Sequence, residues 1–226
     1  MKIGIEASRL VNKQATGVAN YLREILKVWK NSQSSDEFYL FSNIEIDDKD
    51  FSDKTWHYIV LYHSNKASYY LELSRRIKEL CLDVFWSPSF YLPPKINKTR
   101  YFVTIHDLAS LKIKEINTLY ARMKMYFVTK YSCKISERII AISEATSKDI
   151  QELFGIPNNK ISMIYNGCST EMNNEYNIDR IRNDLKLLPK SYFLFIGTIE
   201  PRKNIITIVK AFNYHREKKG VLTNFG

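Results

Sequence analysis

The feature that most constrains this chain is an alternation. Short runs of β-branched and aromatic residues take turns with stretches whose apolar residues recur at helical spacing, from residue 2 to about residue 165. The runs predict strands over 2–7, 38–41, 57–60, 83–86, 101–105, 138–142 and 161–165. Between them, Val18, Leu22, Ile25, Leu26 and Trp29 predict a helix over 17–31. Leu71, Leu73, Ile77 and Leu80 predict the buried stripe of a second over 66–81, and further helices are expected over 117–135 and 144–154. Strands that read as continuous apolar runs, separated by helical crossovers, belong in a parallel sheet covered on both faces. Right-handed crossovers then give an α/β, Rossmann-like, doubly wound domain over 1–170.

Beyond Asn166-Gly167 the texture changes. Residues 168–177 are polar, a short helix is expected over 178–187, and 171–190 together read as a linker. A strand over 192–197, a loop over 198–203 and a helix over 204–217 follow. One strand and one helix cannot bury their own apolar faces, so 191–226 reads as the truncated first βα unit of a second Rossmann-like domain.

Composition enters as a set of exclusions. Hydrophobic residues make up 45% and charged residues 26% of the 226, which excludes a disordered chain or a coiled coil. The longest apolar runs fall far short of the ~20 residues a bilayer requires. Glu6 interrupts any signal-peptide core. Cys81, Cys133 and Cys168, odd in number and widely spaced, read as buried thiols in a reducing compartment, so a cytoplasmic protein is expected. No cysteine–histidine cluster suggests a metal, and neither metal nor cofactor is expected. The net charge of +10 concentrates in 95–134 and 180–226, which points to anionic partners. Nucleic acid is not expected among them, because no helix-turn-helix, zinc finger or aromatic RNA-binding signature accompanies the charge.

Ligands of parallel α/β sheets bind outside the carboxyl ends of the strands, so the polar residues there are the candidates. Thr16 and Gly17 open the first helix, either as a plain cap or as an anion site using its free N–H groups. His106-Asp107 ends a strand. The histidine either meets a reacting centre with the carboxylate orienting it, or is a satisfied half-buried residue while Asp107 caps a helix. Ser143, with Glu144 behind it, reads first as a helix cap, and Asn166 as a turn residue beside the linker. Gly197, Glu200, Arg202 and Lys203 lie between a strand and a helix. Two cations at a helix start oppose its positive dipole end unless an anion arrives, which favours phosphate binding. Finally, 117–135 interleaves Tyr120, Met123, Tyr126, Phe127 and Tyr131 with Arg122, Lys124, Lys130 and Lys134. That pattern suits either a weak contact with an anionic membrane surface or an amphipathic domain helix with snorkelling lysines.

Taken together the strand ends resemble the family 4 retaining glycosyltransferases of GT-B fold. The match runs through Ile3-Gly4-Ile5-Glu6-Ala7-Ser8-Arg9 with Gly17-Val18-Ala19-Asn20-Tyr21, then Thr104-Ile105-His106-Asp107-Leu108 and Arg138-Ile139-Ile140-Ala141-Ile142-Ser143-Glu144. It continues through Ile156-Pro157, Lys160 to Gly167, and Gly197-Thr198-Ile199-Glu200-Pro201-Arg202-Lys203-Asn204. The resemblance implies transfer of a hexose, such as mannose, from a nucleotide sugar to a glycan or lipid-linked acceptor in surface-polysaccharide assembly. It implies a metal-free site, with the acceptor on the first domain and the donor on the second. Arg202 and Lys203 match the family's diphosphate-binding pair, His106 the histidine beside the donor sugar, and Gly17 the glycine loop near the phosphates. The family's paired glutamates are expected beyond residue 226. The chain alone is therefore expected to be inactive, located in the cytoplasm or peripherally at the inner membrane face. The alternative is a non-catalytic binding module that keeps only the acceptor and membrane face.

Overall fold

The structure is a computed structural model. It describes residues 1–11, 16–32, 34–46, 51, 54–63, 65–96, 98–113, 117–167, 193–197, 199–200 and 203–219. The chain divides into two compact units, one of residues 1–112 with 119–168 and one of residues 113–118 with 169–226.

In the first unit, seven strands form one parallel sheet. They are β1 (Lys2–Glu6), β2 (Glu37–Ser42), β3 (Trp56–Val60), β4 (Val84–Ser87), β5 (Arg100–Ile105), β6 (Arg138–Ala141) and β7 (Ile161–Met163). Their order is β3-β2-β1-β4-β5-β6-β7, and every neighbouring pair is parallel. The order reverses between β1 and β4, where polar strand ends can face a ligand. The crossovers carry α1 (Gly17–Asn31), α2 (Lys66–Glu79), α3 (Ala109–Lys112), α4 (Leu119–Ile135) and α5 (Glu144–Phe154). The doubly wound α/β sheet expected from the alternation is what forms.

Period-two alternation splits the apolar residues into two cores. On β2, Phe38 and Leu40 join Ile5, Leu22, Leu26 and Trp86, whereas Tyr39 and Phe41 join Leu73, Ile77, Phe85 and Tyr101. Gly4 stands where β1 and β4 press closest. A Cβ there would lie 2.5 Å from Leu82 Cδ1 and 2.8 Å from Phe85 Cδ2, so a larger residue would force those side chains to shift. Helix α5 ends at Gly155, whose φ of 67° supplies the left-handed stop.

Two expectations are corrected. Leu71 is 62% exposed; it lies two residues from Leu73, about 200° around the helix, and Tyr69, Leu73 and Ile77 form the buried stripe instead. Cys81 is exposed in the turn after α2, at a φ of 53°, while Cys133 is buried with its thiol pushed up to about 12 by burial. Cys168 lies outside the described residues.

The second unit contains α6 (Ile205–Lys219). The strand expected over 192–197 is not found among its described residues, and the side chains of Phe193, Leu194 and Ile196 are exposed. A strand exists only where a neighbour completes its hydrogen-bond ladder, and every described strand pairs within the first unit's sheet. The helix expected over 178–187 lies outside the described residues.

Candidate functional site

The carboxyl edge of the first unit's sheet collects most of the predicted residues. His106 follows β5 and is half-buried. Its Nε2 lies 2.8 Å from the Pro88 carbonyl oxygen, just past the end of β4. A carbonyl only accepts, so Nε2 carries the proton and Nδ1 is the ring atom left to accept one. Burial holds the pKa of His106 below its ordinary value, more than Asp107 and the Pro88 bond raise it. The ring is therefore neutral at pH 7.

Tyr21, from the first turns of α1, packs its ring edge-on to His106 at 5.0 Å and 89°. The Thr104 hydroxyl ties this wall together. It accepts from Trp86 Nε1 at 3.0 Å, and the Tyr21 hydroxyl lies 3.4 Å away. The Thr146 hydroxyl donates to the His106 carbonyl at 2.9 Å, fixing α5 to the same point. Asp107 is exposed, and its Oδ1 accepts from Ala109 N at 3.1 Å at the start of α3. The hydrogen bond that sets the imidazole's orientation thus comes from Pro88.

Thr16 caps α1, its hydroxyl accepting from Ala19 N at 3.3 Å. Nothing lies within 4 Å of where a Cβ on Gly17 would stand. Among the described residues, neither packing nor backbone angle requires a glycine there. Ser143 caps α5 by accepting from Thr146 N at 3.2 Å, and Glu144 Oε1 accepts from the Tyr165 hydroxyl at 3.5 Å. Asn166 is exposed beyond β7.

Gly197, Glu200 and Lys203 belong to the second unit. Lys203 is exposed, and its N–H donates to the Glu200 carbonyl at 3.0 Å in the turn before α6. Arg202 lies outside the described residues. Among the described residues, no group of three or more His, Cys, Asp or Glu converges to hold a metal ion.

One feature of this edge goes unnoticed in the linear sequence. A cleft of about 380 Å³ opens at the ends of β1 to β4, with Glu6, Tyr69, Tyr70 and Tyr91 among its walls. Glu6 is only 4% exposed. Its Oε1 accepts from Ser8 N at 3.3 Å and from the Tyr69 hydroxyl at 3.2 Å. Burial pushes its pKa above the ordinary 4.5, despite those bonds and the nearby Arg9 charge. The folded chain then holds this proton more tightly than the unfolded chain does. The stability that comes from binding it is complete below about pH 4.5 and is lost as pH rises through the folded pKa. Glu6→Gln removes that loss. In urea unfolding from pH 4 to pH 7, the variant should gain stability relative to the parent as pH rises; parallel profiles would contradict the burial cost.

The family model for Glycosyltransferase Family 4 matches residues 16–172. The chain belongs to this family. The O-antigen chain mannosyltransferase B of Escherichia coli is 23% identical over 230 residues, a span covering 94% of this chain and 60% of that enzyme. The crystal structure of Anabaena HepE with UDP-glucose matches at a TM-score of 0.55 and 13% identity, over 82% of this chain and 50% of HepE. A glycosyltransferase from Rickettsia africae matches at 0.50 and 14% identity, over 84% of this chain and 50% of that one. The chain thus spans about half the length of the solved structures it matches, and they carry the same doubly wound fold.

Proposed function

We propose that the first unit is the acceptor-side half of a retaining hexosyltransferase of this family. It serves transfer of a hexose, such as mannose, from a nucleotide sugar to a glycan or lipid-linked acceptor in surface-polysaccharide assembly. The observation that carries this reading is His106. It is neutral, held by Pro88, walled by Tyr21, and set at the strand end where the family match runs. The mannosyltransferase relative supports the sugar, and HepE bound to UDP-glucose supports the donor class.

In the reaction the donor's C1–oxygen bond to the diphosphate breaks and the acceptor oxygen bonds C1 on the same face. The hydroxyl proton leaves with the diphosphate. Lys203 and Arg202 would hold the departing charge, supported by the start of α6, in the manner of preorganised electrostatic stabilisation without a metal. Gly17, at the start of α1, matches the family's glycine loop near the phosphates. His106, with Nε2 committed to Pro88, accepts a donor-sugar hydroxyl at Nδ1, and Thr16, Ser143 and Glu144 border that space. Saturation-transfer NMR with a panel of nucleotide sugars tests this. One nucleotide sugar should give a signal that the matching nucleoside diphosphate displaces; silence across the panel at millimolar concentration would sink the reading.

The protein works in the cytoplasm, peripherally at the inner membrane face. Among the described residues no helix is long and apolar enough to cross a membrane. Helix α4 supports the contact, because Leu119, Tyr120, Met123, Phe127 and Tyr131 are all exposed on it. Lys124 and Lys134 are exposed beside them, whereas Arg122 donates to the Leu111 carbonyl and is turned inward. Aromatic residues flanked by lysines suit an anionic interface, at about 1 kcal/mol per cation near the surface. In liposome sedimentation the chain should pellet with acidic vesicles and much less with neutral ones; equal partitioning would remove the membrane contact. The exposed apolar side chains at 193–196 favour a second reading, in which the chain is a non-catalytic binding module with the same acceptor face.

A further inference from the structure

Hydrogen bonding ties the His106 ring at one point. Nε2 donates to the Pro88 carbonyl at 2.8 Å, whereas Asp107, next in the chain, gives its Oδ1 to Ala109 N. One hydrogen bond fixes a point and leaves the imidazole able to swivel about the line from Nε2 to the carbonyl oxygen. The second constraint comes from α1. The Tyr21 ring stands at 89° to the imidazole with centroids 5.0 Å apart, an edge contact that fixes the plane. Among the described residues it is the ring that packs on His106.

What fixes Tyr21 lies deeper. Its hydroxyl is 3.4 Å from Thr104 Oγ1, and the same oxygen accepts from Trp86 Nε1 at 3.0 Å. Thr104 is fully buried and Trp86 is 5% exposed, so the paired strands β4 and β5 set where both stand. Thr104 and His106 are two residues apart and both meet Tyr21, which places them on the side of β5 that faces α1. A ring that only fills space needs no hydroxyl, and sinking one against a buried strand costs free energy unless it is bonded. Burial also pushes the Tyr21 pKa above its ordinary 10, despite the Thr104 bond, so the phenol stays protonated and neutral. Tyr21 thus carries the rigidity of the sheet to the imidazole at its edge.

We infer that Tyr21 is the positioning residue of His106, its hydroxyl anchored on Thr104 and its ring holding the imidazole plane so that Nδ1 is presented in one direction. The inference rests on the hexosyltransferase reading for what Nδ1 accepts; the positioning itself belongs to the ligand-free chain. Tyr21 acts through His106, because its own hydroxyl is engaged by Thr104. A group that must meet a substrate has to be held within about 0.5 Å and 10–20° of its working geometry, which a single hydrogen bond does not supply. The ring also covers one side of the imidazole, adding to the burial that keeps His106 neutral.

The test reads the imidazole nitrogens of the ligand-free, nitrogen-labelled chain by NMR across a pH titration, with His106 assigned by its absence in His106→Gln. The parent should show one neutral tautomer, protonated at Nε2. Tyr21→Phe removes only the anchoring oxygen, and should bring in the second tautomer and move the His106 pKa up toward its ordinary 6.5; Tyr21→Ala should move both further. The charges acting on the ring, Asp107 and Arg9, are the same in every variant. Leu26→Ala opens the same core between α1 and the sheet, five residues along the helix, and should leave the His106 signature as it is in the parent. Tyr21→Phe keeps the ring and the bond between Trp86 and Thr104, so it carries the test even where Tyr21→Ala disturbs the fold. The proposal is overturned if the parent mixes tautomers, if either Tyr21 variant titrates as the parent does, or if Leu26→Ala moves His106 as far as Tyr21→Ala. A nucleotide-sugar titration run in parallel separates the two readings. A single tautomer that is lost in Tyr21→Phe, without any nucleotide-sugar signal, keeps the positioning role and removes the transferase reading; a nucleotide-sugar signal with a tautomer unmoved by either variant removes the positioning role alone.

Discussion

Replacing Phe85 by alanine should lower the unfolding free energy of the first unit by about 3–5 kcal/mol. Phe85 is fully buried on β4, between β1 and β5 in the middle of the sheet. Its ring lies 6.1 Å from Phe41 and 5.8 Å from Tyr101, centroid to centroid. On its third side is Gly4, which has no side chain to swing into the gap. Both flanking strands are tied by parallel ladders, so the backbone cannot collapse into the space. The cavity therefore stays, and its cost adds to the lost burial. Natural domains hold only about 5–15 kcal/mol in all, so the loss is a large share. All three tryptophans, Trp29, Trp56 and Trp86, lie in the first unit, and their fluorescence reports its urea unfolding alone. The midpoint should fall with the slope unchanged; a loss under about 1 kcal/mol would mean the site collapses after all.

The second large effect concerns the donor. The chain by itself should bind nucleotide sugars no tighter than about 1 mM, and transfer at less than about one ten-thousandth of an ordinary turnover of ~1–10³ s⁻¹. Lys203 is exposed, and the residues expected as its supporting strand leave Phe193 75% and Ile196 84% exposed. A cation pair stabilises a departing diphosphate only when packed elements hold it in place. Orientation of this kind is worth roughly 7–11 kcal/mol of a barrier, and a displacement of about an ångström forfeits much of it. Calorimetry with a panel of nucleotide sugars, beside a radiolabelled-sugar transfer assay, reads both quantities. Micromolar binding together with turnover would show that the second unit is sufficient as it stands.

How legible these features are in the sequence depends on how many elements build them. The strands around Ile5, Leu40, Phe85 and Val103 read out directly, because a strand covered on both faces leaves a continuous apolar run. His106 reads out too, since a polar residue that ends such a run stands at the carboxyl edge of the sheet. What orients its ring does not. Asp107 is next in the chain, but the bond comes from Pro88, eighteen residues away and brought near by the pairing of β4 with β5. Leu71 misleads because its apolar character fits the composition of α2 but not its buried face. The 192–197 run has the residues of a strand, yet pairing is a property of a neighbour that local sequence does not contain. Hardest of all is the cleft. Glu6, Tyr69 and Tyr91 come from separate elements and meet only through the sheet order, and the one linear signal is an acid at the end of an apolar run.

The central claim is that sugar chemistry in this chain happens at the carboxyl edge of the parallel sheet, around His106. Backbone amide mapping with a nucleotide sugar at millimolar concentration tests it most directly, since weak binding is enough to shift resonances. The shifts should gather at Gly17, His106 and Ser143, and His106→Ala should abolish them. Shifts confined to the opposite edge, at Lys2, Asp83, Arg100 and Glu137, would contradict the account.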